Sequence, residues 1–291
     1  MSLDSHDLLI LEILENDSRI SLTDLGKKLG LSRFGVRDRI EKLFRDQVIL
    51  GPTIVLNPPL VGLRRTVFFE LKTNPHEPWL AALLEEMKSC DMLDGITGEY
   101  SLLGRFRIRG EEDFGQILKT IDKAMSKSFF KKYRVINTIR TFKESAVRFE
   151  TKSRASNLDN IDRKILGILL DQTKLVRSPR PLSTIQIAKL LHNLGIQISQ
   201  PAVSKRLTKL ESKGVILRHT IIVDQAKLGL KAKLIVRIKV NPATYDTVAW
   251  DFLTPMKEIT DLYRTGEDYG LLAIIRAVSY THLRAHETGR N

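Results

Sequence analysis

Two stretches of this chain place basic side chains on the outer face of a helix in the pattern that reads nucleic acid. In the first, Val36, Ile40 and Leu43 recur at helical spacing and take the inward face, so Arg33, Phe34, Arg37 and Asp38 face out behind a Ser32 cap. In the second, Val203, Leu207 and Leu210 take the inward face and Ser199 repeats Ser32. Pro201 falls in the first turn, where a missing N–H is tolerated, and Gln200, Ser204, Lys205 and Lys209 are the outward candidates. A guanidinium pairs bidentately with guanine or phosphate, so Arg33 and Arg37 suit a major groove. Asp38 opposes that contact, and Gly35 weakens its helix by about 1 kcal/mol relative to alanine. Lys205 stands where Asp38 stood, so the second stretch is expected to be the stronger DNA reader. The competing interpretation is a helix-turn-helix used only as a protein contact.

The elements that must hold these side chains are written twice. Leu3-Asp4-Ser5-His6-Asp7-Leu8-Leu9-Ile10-Leu11 returns as Leu158-Asp159-Asn160-Ile161-Asp162-Arg163-Lys164-Ile165-Leu166, and the stretch 31–50 returns as 198–217. Asp4 is placed to cap an opening amphipathic helix. Ser21 caps a short second helix ending at Gly30, and Ser32 caps the third, which is helix-turn-helix spacing. The run Val48 to Val55 is expected to supply the two short strands of a wing. Twelve extra residues enter the second copy, mostly as Lys174-Leu175-Val176-Arg177-Ser178-Pro179-Arg180-Pro181. This proline-stiffened loop offers Lys174, Arg177 and Arg180 to phosphates, unless it is a plain solvated insertion.

Charge supports the asymmetry. The 291 residues carry a net charge of +13, and residues 151–220 hold 13 basic against 4 acidic residues while residues 1–50 hold 8 against 9. One sign concentrated on one small domain is the footprint of polyanion binding, so double-stranded DNA is the expected partner. The single cysteine, Cys90, excludes an internal disulfide and reads as a small buried hydrophobe. With no long apolar window and no signal-peptide layout, the chain is expected to be cytoplasmic and to have no membrane partner.

Each helix-turn-helix is followed by a strand-rich half. Thr66–Leu71, Met92–Thr97, Leu102–Ile108 and Tyr133–Phe142 read as strands, with helices over Trp79–Met87 and Asp113–Met125. That order is βαββαβ, a ferredoxin-like sandwich whose bare sheet face must pack on another sheet. The expected fold is therefore α+β: a tandem repeat of a winged helix-turn-helix plus a ferredoxin-like sandwich, the second one incomplete. The expected domains are 1–56, 57–150, 151–223 and 224–278, and residues 279–291 read as an artefactual tail of a truncated chain. His282 and His286 have zinc-like spacing but lie in that tail, so no metal site is expected.

These features together resemble the Lrp/AsnC (leucine-responsive, feast/famine) transcription regulators in a tandem-fused form. The resemblance rests on the helix-turn-helix closing at Gly214-Val215-Ile216 and on the Gly98-Glu99-Tyr100 turn, echoed as Gly266-Glu267-Asp268-Tyr269. It implies transcriptional control, homo-oligomers built through the sandwiches, and a small effector such as an amino acid held by Gly98, Glu99, Tyr100, Gly266, Glu267, Asp268 and Tyr269. The family's turn often ends in aspartate, whereas Ser101 and Gly270 stand there in this chain. A plain hairpin turn is the alternative at both places. A siroheme decarboxylase resembles the same paired module, but the strand 102–108 offers Arg105 and Arg107 without a histidine. No enzyme and no cofactor is expected.

Overall fold

The computed structural model of the chain describes residues 3–149, 157–230 and 232–277. The first repeat runs α1 (Ser5–Asn16), α2 (Leu22–Leu29), α3 (Arg33–Arg45), β1 (Ile49–Leu56), β2 (Arg65–Leu71), α4 (Pro78–Glu86), β3 (Cys90–Gly95), β4 (Leu102–Ile108), α5 (Glu111–Lys127), β5 (Tyr133–Glu144) and β6 (Val147–Arg148). The second runs α6 (Asn160–Leu170), α7 (Gln172–Leu175), α8 (Thr184–Asn193), α9 (Gln200–Ser212), β7 (Ile216–Val223), β8 (Ala232–Ile238), an irregular helical stretch over 242–253, β9 (Ile259–Thr265) and β10 (Leu271–Ala277). The expectations for the tail, including His282 and His286, fall outside the described residues.

These elements sort into two units that cut across the repeats. One joins the described residues up to 57 with those from 157 to 232, and the other joins 58–149 with 233–277.

In the helical unit the caps are as their residue types demand. Asp4 and Asp7 form a capping box on α1, Ser21 and Ser32 accept backbone N–H bonds at α2 and α3, and Asp159, Ser183 and Ser199 do the same at α6, α8 and α9. Gly30 ends α2 in the left-handed region at φ 67°. The expected two-strand wing is corrected. The run after α3 is one strand, β1, and its partner is β7 of the other repeat, antiparallel, with Thr53 opposite Thr220 and Leu56 opposite Ile216. Pairing across repeats buries what a lone hairpin would leave wet. Ile221 and Val223 complete the core of Ile10, Leu14, Leu25, Val36, Ile40 and Leu43. Gly51, at φ 144°, admits the Thr173 methyl of α7 where any side chain would collide. The insertion is thus partly helical, and its Gln172 is buried, bonding the Leu169 carbonyl and the Leu182 N–H.

The sheet unit has strand order β3-β4-β2-β5-β9-β10-β8, with β6 on β5. Its central strand, β5, serves both repeats. Tyr133–Asn137 pair with β2, and Thr138–Lys143 pair with β9. Alternation then gives each sheet two faces. Val67, Phe69, Leu71 and Phe106 pack under α4 and α5, while Phe142, Leu262, Leu271 and Ala273 pack under the 242–253 segment. The inner faces meet through Phe68, Leu103, Ile136, Tyr263, Leu272 and Ile274. Among the described residues the order ends on β8, which leaves that strand an edge.

Candidate nucleic-acid interface and effector turns

Helix α3 buries Val36, Ile40 and Leu43 and exposes Arg33, Phe34, Arg37 and Asp38, as its spacing requires. Its cations are unequal. Arg33 forms no ion pair among the described residues, whereas Arg37 lies 3.3 Å from Asp38 and 3.8 Å from Glu41 and stacks 5.1 Å from the Phe34 ring centre. Helix α9 buries Val203, Leu207 and Leu210, and Gln200, Ser204, Lys205, Thr208, Lys209 and Ser212 lie along its outer face. Lys205 and Lys209 are exposed and carry no ion pair among the described residues. The hydroxyls of Ser32 and Ser199 act as helix caps, accepting from Gly35 and Ala202 at 3.0 and 3.4 Å. Gln200 donates to Thr184 Oγ1 at 2.8 Å, which joins α9 to α8.

The three basic residues of the insertion separate. Lys174 is exposed, 3.5 Å from Asp171, and Arg177 is exposed. Arg180 is turned inward instead of toward phosphate: its Nη2 donates to the Ile20 carbonyl of the first repeat at 2.6 Å, and burial pulls its pKa below the ordinary arginine value. Further contacts were not foreseen in this unit, and two of them, Arg19 with Glu211 and Lys227 with Asp46, join the repeats. Arg19 lies 2.5 Å from Glu211 of α9, His219 of β7 lies 2.9 Å from the same carboxylate, and Lys227 donates to the Asp46 carbonyl at 2.6 Å.

One unforeseen contact was legible in the repeats. Arg39 bonds Asp4 and Asp7 at 2.7 Å each, and Arg206 bonds Asp159 and Asp162 at 2.6 Å each. All six residues are identical between copies, so the signal was there. The tie fixes each reading helix to the N-terminus of its own first helix.

In the sheet unit the two turns gather around one charged cluster. Tyr100 and Tyr269 are each 7% exposed, with Arg134 stacked 5.2 Å from the first ring centre and Arg237 5.7 Å from the second. Both arginines bind the buried carboxylate of Glu70. Glu99 is exposed and paired with Lys132 at 2.6 Å. Gly98 sits at φ 136°, Gly266 donates to the Asn137 carbonyl at 3.1 Å, and Glu267 accepts from Gly270 at 3.1 Å. Asp268 has no partner among the described residues.

Arg105 and Arg107 lie deeper in the same unit. Arg105 reaches Asp91 at 2.7 Å and Asp261 and Tyr263 at 3.0 Å; Arg107 reaches Asp91 at 2.6 Å, Glu144 at 2.7 Å and Thr66 at 2.8 Å. Burial alone would push the Glu144 carboxyl up, but Arg107 and Arg105 hold it below the ordinary glutamate value. Every nitrogen of both guanidinium groups has a partner, so neither is free for a ligand. Among the described residues, no three His, Cys, Asp or Glu side chains are placed to hold a metal, and no helix is long and apolar enough to cross a membrane.

The fold and these sites define a protein with two helix-turn-helix motifs in one unit and, in the other, a ferredoxin-like βαββαβ sheet paired with a partial second copy. Similarity agrees. The profile of the AsnC-type helix-turn-helix domain matches residues 3–43. An uncharacterized HTH-type transcriptional regulator of Pyrococcus abyssi is 33% identical over 149 residues, which is 96% of that protein and 50% of this chain. The leucine-responsive regulatory protein of Haemophilus influenzae is 31% identical over 126 residues, 74% of its length and 41% of this chain. A solved structure of the siroheme decarboxylase NirDL shares the fold over 98% of this chain and 85% of its own, with a TM-score of 0.61 at 16% identity. The chain belongs to the Lrp/AsnC family, in a form that carries the family's two-part module twice.

Proposed function

We propose that this chain is a sequence-specific DNA-binding transcription regulator whose two reading helices are unlike and whose affinity resides mainly in α9. The observation that carries the proposal is the outer face of α9, where Lys205 and Lys209 project without carboxylate partners from a helix fixed in a helix-turn-helix. Free cations neutralise phosphates and release counterions, while cations already paired on the protein do so less. Gln200 and Ser204 beside them supply the hydrogen-bonding groups that base edges require. The first reader would use Ser32, Arg33 and Arg37, and Lys174 and Arg177 would add contacts blind to sequence. The chain would act in the cytoplasm as a homo-oligomer on double-stranded DNA.

The turns Gly98–Tyr100 and Gly266–Tyr269 are proposed as the effector site, because Arg134 and Arg237 stack on the two tyrosine faces there; both already share the Glu70 carboxylate, with which an acidic metabolite would compete. Ser101 and Gly270 in place of aspartate leave out an acceptor suited to an ammonium group, so a carboxylate is favoured over a free amino acid. The decarboxylase reading is supported by the shared fold, but Arg105 and Arg107 are occupied by acidic partners. Genome-wide footprinting of the protein with and without added metabolites tests the regulator reading, and protected sites that move with one metabolite are expected. A coloured protein that holds tetrapyrrole and shifts no DNA would overturn it.

A further inference from the structure

The strands that form the inner faces can be aligned between repeats without a gap. Gly62-Leu63 and Asn74-Pro75 recur as Gly229-Leu230 and Asn241-Pro242, which makes Glu70 equivalent to Arg237, Thr66 to Lys233 and Phe68 to Ile235. Leu102-Leu103 recurs as Leu271-Leu272, which makes Arg105 equivalent to Ile274. The hairpin registers, Met92 opposite Arg105 and Asp261 opposite Ile274, then make Met92 equivalent to Asp261 and Asp94 equivalent to Tyr263.

Equivalent positions thus carry unlike charge, and the contacts exploit the difference. Glu70 and Arg237 are equivalent and touch each other, so the approximate twofold axis relating the two sheets passes between them. A pair of first repeats would set Glu70 against Glu70 there, and a pair of second repeats Arg237 against Arg237. Away from the axis each contact has a mate. Arg105 meets Asp261 at 3.0 Å, and the mate contact, Ile274 with Met92, lies in the inner apolar cluster. Lys233 pairs with Asp94, both largely buried. Like-with-like pairing would turn Arg105 onto methionine, Asp261 onto isoleucine, Asp94 onto Thr66 and Lys233 onto Tyr263. A buried charge without a partner is far costlier than a paired one. On the first repeat Arg134 accompanies Glu70 and Asp91 accompanies Arg105, so against first-repeat pairing the rejection falls chiefly on Asp94.

We infer that the inner faces are coded for the opposite repeat: a first-repeat sheet accepts a second-repeat sheet and rejects its own copy, so that one chain builds one sandwich with unlike halves. The inference is independent of what the helices bind. Full-length chains with Cys90→Ser and one new cysteine, at Glu70 or at Arg237, test it with a thiol-specific bis-maleimide whose span matches the roughly 10 Å between facing sheets, followed by denaturing electrophoresis. Like-with-like pairing brings two copies of the new thiol together at the axis, so a covalent dimer from either single variant would overturn the inference. No covalent dimer is expected. The double variant, with both cysteines, should be bridged within one chain, taking up a single linker and staying at monomer size, and a cross-linked dimer there would also overturn it. Should the cysteine variants fail to fold, charge reversal decides. Asp94→Lys and Lys233→Asp should each unfold at lower temperature than the parent, and the double reversal should recover most of the loss, whereas a double reversal no more stable than the singles would defeat the inference.

Discussion

Helices α3 and α9 occupy the same place in two copies of one motif, and they differ in what surrounds their cations. The caps, the buried triads and the arginine tie to the first helix are shared, so the scaffold is one solution used twice. On the outer face Arg37 is compensated by Asp38 and Glu41 and leans on Phe34, while Lys205 and Lys209 are uncompensated. Net charge alone would credit α3 with three outward-facing or C-terminal arginines. Counting partners instead leaves only Arg33 fully available on its reading face, which is why the location of a charge matters less than whether it is already satisfied.

The largest test of this difference is DNA affinity. Lys205→Glu should weaken binding about tenfold or more and lower the salt slope by roughly 1, while Arg37→Glu should cost about threefold or less, measured by fluorescence anisotropy over a salt series. Equal losses would show that the helices contribute alike. The converse change, Asp38→Lys, places in α3 the residue type that α9 carries and should tighten binding.

The shared scaffold predicts the opposite pattern for stability. Removing Arg39 or Arg206 leaves a buried carboxylate, Asp7 or Asp162, without its partner. Because both arginines are about a third exposed or less, each alanine variant should lose about 1–2 kcal/mol in denaturant unfolding. A large inequality between the two would mean that the ties are not equivalent. Ser32→Ala and Ser199→Ala should each cost about 1 kcal/mol for the lost cap. Gly35→Ala should gain about 0.5–1 kcal/mol, since a methyl group there meets only the Ser32 hydroxyl at 3.4 Å. A loss would show that the glycine is needed for close approach of another surface.

The smallest effect is on pH. Burial holds the His219 pKa below the ordinary histidine value, against the pull of Glu211 and with help from Arg19. The unfolded chain therefore binds a proton that the folded chain resists, and stability contributed by neutral His219 is full above about pH 6.5 and is lost as pH falls below it. His219→Gln should flatten thermal stability between roughly pH 5 and 7. An unchanged slope would show that the ring does not titrate with folding.

Much of the architecture was legible because it rests on local rules applied twice. Cap residues whose side-chain oxygens accept from the N–H three positions on, apolar residues at helical or alternate spacing, and turn glycines fix the elements whatever lies beyond them. The βαββαβ order and the outward face of each reading helix followed from the same periodicities. The wing was misjudged for a physical reason: Val48 to Val55 has the composition of a strand, but composition does not say which strand will pair with it. That partner was β7, more than 150 residues away. Arg180 was misjudged likewise, because a basic residue in a basic loop looks free until a carbonyl of the other repeat lies 2.6 Å from it.

By itself, then, the sequence determined the repeats, the helices, the strands and the residues on each face, since these depend on neighbours within a few positions. Only the tertiary structure decided that β5 would be shared by two sheets, that Glu70 would meet its own counterpart Arg237, and which cations would be left unpaired. Those outcomes depend on contacts between residues far apart in the chain, and a charge carries no mark of the partner that will satisfy it.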